Sequence, residues 1–171
     1  MAVRMNSPVK LIVALGALAI ASFAILLSMP VRSAPEAHFS SLSGEDFDTS
    51  SLRGKVAVVN FWSTSCSICM AEMPNMTRAY RTFAPRGYEM VAVALRQDRP
   101  EAVAAYAERT ALPFKVALDP HGDIARRFGN IHITPTTFVI DKRGRILRRF
   151  VGEPDWRQFN AVVEKALAEG A

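Results

Sequence analysis

The run Val56–Trp62 (VAVVNFW) constrains the fold of this 171-residue chain more than any other stretch. It is nearly all apolar and rich in β-branched side chains, without the alternation of a half-exposed strand, so it predicts a strand buried on both faces. Such a strand belongs in the middle of a sheet covered by helices. The chain's only two cysteines, Cys66 and Cys69, follow at once, and Ser67–Phe83 has a helical pattern. Pro74 inside that pattern predicts a kink, because its ring displaces the carbonyl four residues back. Glu89–Leu95 predicts a second buried strand, and Pro100–Thr110 a helix with Asp98 as its expected cap. A short strand at Lys115–Leu118, a short helix at Asp123–Phe128 ended by Gly129, and a strand at Thr136–Ile140 come next. The turn DKRG (141–144) leads into a strand at Arg145–Val151, and Asp155–Ala168 is an amphipathic closing helix. Before all of these, Gly44 and Gly54 punctuate short alternating segments that predict a small N-terminal hairpin. The pattern as a whole predicts an α/β fold with a mixed central sheet and helices on both faces. Both cysteines then lie at the C-terminal end of a central strand, where open α/β sheets place their chemistry.

Composition bears on what surrounds this domain. Half of the residues are hydrophobic, a fraction raised by Leu11–Met29, nineteen residues without a charge. At 1.5 Å rise per residue that run is long enough to cross hydrocarbon. Arg4 and Lys10 precede it without an acid, so the positive-inside rule keeps residues 1–10 in the cytoplasm and sends the rest across. A cleaved export signal is the alternative; Arg32 and Pro35 beside the candidate junction after Ala34 favour an uncleaved anchor. The expected organisation is therefore a cytoplasmic N-terminus and transmembrane helix (1–30), a tether (31–38) and one globular domain (39–171). In a bacterium this places the domain in the periplasm, bound to the inner membrane by a single pass, where thiols can be oxidised. The net charge is +5 over the chain, too mild to argue for nucleic acid. The basic run Lys142–Arg149 reads as a hairpin turn and a solvated sheet edge.

The cysteine pair admits several readings. A structural zinc site needs about four thiolate or imidazole ligands. There is no second CxxC, and His38, His121 and His132 show no paired spacing. A staple across so short a loop adds little stability, since it removes little chain entropy. A redox pair is the stronger reading. Cys66 at a helix start faces unpaired N–H groups and the helix dipole, which stabilise a thiolate. That thiolate attacks a partner disulfide, and Cys69, one turn further on and more buried, resolves the mixed disulfide.

The segments VVNFWSTSCSICMAEMP and ITPTTFVIDKRGRI resemble the active-site strand and helix and the cis-proline strand of thioredoxin-like proteins. From about Phe39 to the C-terminus the chain resembles the membrane-anchored TlpA-like branch, including LRGK, LPFKVALD and a strand-helix insert between Leu95 and Phe128. The resemblance implies an extracytoplasmic thiol-disulfide oxidoreductase, usually a reductase, with no cofactor. Its implied partners are cysteine-containing extracytoplasmic proteins, such as apocytochrome c or a copper-site protein, and a membrane-bound electron donor of the DsbD type. It also implies roles: Cys66 attacks, Cys69 resolves, and Glu72 manages the proton of the resolving thiol. Pro135 is held cis opposite the pair and leaves the backbone of Thr134 free for a bound chain, while Trp62, Ser67 and Ile68 flank the partner.

Four departures from the family pattern stand out. Ser65 replaces the usual tryptophan before the first cysteine, and Ser67-Ile68 replaces Gly-Pro between the two. Ile68 keeps its N–H, which is expected to reach the Cys66 thiolate and make the disulfide more oxidising. Asn60 stands where thioredoxin has a buried acid, and FGNIHITP is one residue longer than the commonest spacing. A rival from another class is a Cu(I)-binding or copper-site assembly module using Cys66, Cys69, Met70, Met73 and Met76, because soft sulfur ligands select Cu(I). Another is a peroxidase of the peroxiredoxin type, whose lone reactive cysteine follows a proline and a threonine. Here Ser63-Thr64-Ser65 leads into a pair.

Overall fold

The computed structural model describes residues 32–170, together with Leu15 and Ala17, which are helical. The rest of the apolar segment read as a span lies outside the described residues. Among those described, no helix is long and apolar enough to cross a membrane.

Seven strands form one sheet: β1 (His38–Ser41), β2 (Asp46–Asp48), β3 (Val56–Trp62), β4 (Tyr88–Leu95), β5 (Lys115–Asp119), β6 (Thr136–Ile140) and β7 (Ile146–Val151). Their order is β2-β1-β5-β4-β3-β6-β7. Pairing is parallel from β3 through β4 to β5 and antiparallel at both flanks, so the sheet is mixed. β3 and β4 occupy the middle, and every residue of both is buried. This explains their uninterrupted apolar sequences, since neither face meets water.

Alternation along β3 divides its side chains between two cores. Val56, Val58 and Trp62 pack with Met73, Met76, Val103, Phe159 and Val163, under helices α1 (Ser67–Phe83), α2 (Pro100–Thr110) and α4 (Trp156–Ala168). Ala57, Val59 and Phe61 pack on the other side with Phe39, Phe47, Ile124, Ala125 and Phe128, under the short helix α3 (Asp123–Arg127) and the N-terminal hairpin. Helices therefore cover both faces, three against one. In α1 the buried positions are Cys69, Glu72, Met73, Met76, Ala79 and Phe83, an i, i+3, i+4, i+7 stripe that turns one side of the helix to the sheet. Burying a methionine there stabilises the fold by about 1.5–3 kcal/mol relative to leaving it in water.

Two local expectations change. Asp98 does not cap α2: Arg99 holds that position with no side-chain bond, and Pro100 opens the helix at its first turn, where a missing N–H costs nothing. Arg32, Ser33 and Ala34, within the stretch read as a tether, pair with the β6–β7 hairpin. The Ile146 N–H donates to Arg32 O and the Ala34 N–H to Gly144 O, each at 2.8 Å, around a bridge between Ser33 and Arg145. The turn they meet needs Gly144, whose φ of 82° lies in the left-handed region. The compact unit accordingly begins at Arg32.

Candidate active site

Parallel pairing of β3 with β4 brings Trp62 opposite Ala94, so the residues after each strand emerge side by side at one edge of the sheet. Cys66 follows β3 as the N-cap of α1, with an extended backbone (φ −92°, ψ 106°), and Cys69 lies in the first turn. The two form a disulfide with Cα atoms 5.2 Å apart. Cys66 is half-buried whereas Cys69 is fully buried. Access alone thus distinguishes the sulfurs. The N–H that reaches Cys66 Sγ is that of Cys69, at 3.2 Å, and not that of Ile68 as expected. The reason is helical geometry: the cap side chain of a helix accepts from the third residue beyond it.

The 134–135 peptide is cis and faces this helix end. Pro135 is buried, and its carbonyl accepts from the Gly152 N–H at 2.8 Å. The Thr134 carbonyl instead lies 3.6 Å from Cys66 Sγ. A disulfide sulfur has no proton to donate, so in this state the approach is a contact; a reduced Cys66 thiol has one. Ile68 and Ile133, 50% and 61% exposed, present apolar side chains from the two segments that meet here. Ser67 is exposed beside them. The longer FGNIHITP segment is accommodated by Asn130, whose φ is 54°, while the Ile131 N–H returns to Ala125 O at 3.0 Å.

Beneath the pair, Glu72 is fully buried. Its Oε1 accepts from Asn60 Nδ2 at 2.9 Å, and the same Nδ2 donates to Thr137 Oγ1 at 2.9 Å. Burial pushes the Glu72 carboxyl from 4.5 up to about 7, against the pull of the Asn60 bond, and the nearby charge of Glu153 adds to the rise. Glu72 Oε2 and Asn60 Oδ1 find no partner among the described residues. Both atoms are acceptors when the acid is ionised, so a proton on Glu72 supplies the donor this pair lacks.

Residues 30–149 match the AhpC/TSA family. The chain belongs to that family. Within it, the chain is similar to the thiol-disulfide oxidoreductase ResA of Bacillus thuringiensis subsp. konkukian, 33% identical over 135 residues that cover 78% of this chain and 76% of the relative. ResA of Geobacillus thermodenitrificans is 34% identical over 119 residues, 70% of this chain and 67% of that one. A crystal structure of a thiol:disulfide interchange protein of the thioredoxin family from Chlorobium tepidum TLS superposes with a TM-score of 0.75 at 29% identity, covering 82% of this chain and 99% of that one. This AhpC/TSA family member is thus a thiol-disulfide oxidoreductase with a thioredoxin-like fold, and the TlpA-like resemblance agrees with its ResA relatives.

Other expected site residues fall differently in this family member. Trp62, expected to flank a partner, is fully buried and packs on Tyr106 with ring centroids 5.4 Å apart. It is the last residue of β3 on the helix-covered face, so it belongs to the core rather than to a docking surface. Met73 and Met76 are likewise core residues, at most 1% exposed, and only Met70 of the methionine series is half-buried beside the pair. No group of three or more His, Cys, Asp or Glu suited to a metal occurs among the described residues.

One cluster escaped the sequence reading. Asp98 accepts from the Thr64 N–H at 3.0 and 3.1 Å, from Thr64 Oγ1 at 2.5 Å and from Ser63 Oγ at 3.1 Å. The signal was available in principle. Two adjacent parallel strands, each followed by polar residues, place those residues together, but only if the β3–β4 pairing is already known.

Proposed function

We propose that this oxidoreductase is an extracytoplasmic reductase of protein disulfides, anchored by residues 11–29 in the bacterial inner membrane with its domain in the periplasm. The observation that carries the site assignment is the asymmetry of the two sulfurs: Cys66 lies at the helix end within reach of a partner, with the Cys69 N–H on it, and Cys69 is buried behind it. In the dithiol form the Cys66 thiolate attacks a partner disulfide; one partner sulfur leaves as a thiolate and takes a proton. Cys69 then attacks Cys66, the second partner thiol departs, and the Cys66–Cys69 disulfide remains, two electrons having passed to the partner. Glu72, ionised at the start of that step, takes the Cys69 proton. The Thr134 backbone, with Ser67, Ile68 and Pro135 around it, receives the partner chain. A membrane-bound dithiol donor of the DsbD type returns the enzyme to its reduced state.

The Trp62 contact is not part of this reading, and neither is copper. Two of the three methionines required for a sulfur-rich Cu(I) site are occupied in packing the core. The cysteine-bearing segment of apocytochrome c fits as a partner, because it presents a disulfide in a chain without a fold to protect it.

Replacing Cys69 by Ala tests the scheme in cells. The variant is expected to accumulate a mixed disulfide through Cys66 to extracytoplasmic, cysteine-containing proteins, while Cys66→Ala accumulates none. Trapped cytoplasmic partners, or adducts through Cys69 in the intact pair, would refute it. Direction is read from the same purified protein: a reduction potential near that of thioredoxin, about −270 mV, supports a reductase, and one near −120 mV an oxidase.

A further inference from the structure

The four bonds to Asp98 belong to a chain of contacts that ends at the reacting sulfur. The Ser63 hydroxyl donates to Asp98, so its lone pairs are left to accept from the Ser65 N–H at 3.2 Å and from the Ser65 hydroxyl at 2.8 Å. The Ser63 carbonyl accepts from the Cys66 N–H at 3.1 Å. Each residue from Ser63 to Cys66 is therefore fixed either to Asp98 or to a residue that Asp98 fixes. This network stands where the family pattern has an aromatic residue before the first cysteine. Here that position is an exposed serine.

We infer that Asp98 is a positioning residue for Cys66, and that its negative charge, held beside the helix end, disfavours the Cys66 thiolate and makes the disulfide more reducing. The physical basis is short reach. Thr64 and Cys66 are two residues apart, so their Cα atoms are separated by no more than about 7 Å. A like charge hydrogen-bonded to the loop that carries the sulfur opposes ionisation, countering the helix dipole and the Cys69 N–H. Other charged or titratable groups at this end of the molecule are Glu72 under α1, Glu153 after β7, the exposed Arg96 and Arg99 on either side of Asp98, and the exposed His132 before the cis peptide. Among the described residues, Asp98 is the charged side chain hydrogen-bonded to the loop that carries Cys66. The inference rests on Cys66 being the attacking thiol and explains why a helix-end cysteine would serve a reductase.

The experiment measures alkylation rate against pH in the reduced full-length protein, with the modified cysteine located by mass spectrometry, and the exchange equilibrium with glutathione. Asp98→Asn preserves shape and an acceptor oxygen but not charge; Asp98→Glu preserves charge. The Asn variant is expected to lower the Cys66 pKa by about half a unit and to shift the glutathione equilibrium about threefold toward the dithiol. The Glu variant is expected to keep both near the parent values. A purely structural staple would lower thermal stability in both variants and leave both readouts of the sulfur unmoved, which overturns the inference. So does an Asn variant that fails to fold, because Asp98 would then be a determinant of the fold. Alkylation of Cys69 in preference to Cys66 in the parent would instead refute the site assignment on which the inference depends.

Discussion

Glu72 is the residue of the candidate site whose carboxyl departs far from its ordinary behaviour. Its carboxyl titrates at about 7 in the folded protein against 4.5 when exposed, because the ionised form is stripped of water. The native state therefore binds a proton that the unfolded chain releases between those values. Stability is highest below about pH 4.5 on this account, falls as pH rises toward 7 and levels off above, by a total on the order of 3 kcal/mol. Glu72→Gln is expected to remove that slope, seen as a flatter pH dependence of the urea midpoint. In the proposed scheme the same substitution removes the proton acceptor of the resolving step. Release of a mixed disulfide at pH 7.5 is expected to slow about a hundredfold in stopped-flow measurements, and the inflection near pH 7 to vanish. Attack by Cys66 on a small disulfide should be spared, since that step does not use Glu72.

Among the elements, α2 and α4 show how differently two acids at helix starts can act. Asp155 is a true cap: its Oδ1 accepts from the Gln158 N–H at 2.9 Å, and the helix it opens is remote in sequence from the cysteines. Asp155→Ala is expected to lower stability by about 1 kcal/mol in chemical denaturation with no change in Cys66 reactivity. Asp98, two residues before α2, looks the same in sequence, yet its carboxylate turns away from its own helix to the loop after β3. Sequence distinguishes these two poorly, because capping is local and the Asp98 bonds span 34 or 35 positions. The helical stripe of α1 shows the opposite case: Cys69, Met73 and Met76, at i, i+4 and i+7, share one side of the helix by spacing alone, and that side is the buried one.

For the whole molecule, the folded unit starts earlier than the sequence pattern implies. A chain beginning at Phe39 loses the bonds of Arg32 and Ala34 to the hairpin and those between Ala37 and Thr49, with Ala37 itself 4% exposed. At roughly 1 kcal/mol each, these five bonds amount to on the order of 5 kcal/mol. A domain beginning at Arg32 is expected to melt several degrees above one beginning at Phe39, by circular dichroism, with equal activity on small disulfides for the folded fraction. Losing that difference would mean that the Arg32–Ala37 stretch adds nothing to the fold.

The order of elements, the two central strands, the helix behind the cysteines and the likeness of CSIC and ITPT to a redox site follow from residue pattern, because periodicity and side-chain shape are properties of adjacent positions. What sequence left open were encounters between distant segments. Trp62 as a core side chain, Asn60 with Glu72 and Thr137, and Asp98 against Ser63 and Thr64 all depend on which strands pair and in what register. Only the assembled sheet decides that, since a hydrogen bond or a buried charge acts over a few ångströms of space, however many residues of chain lie between.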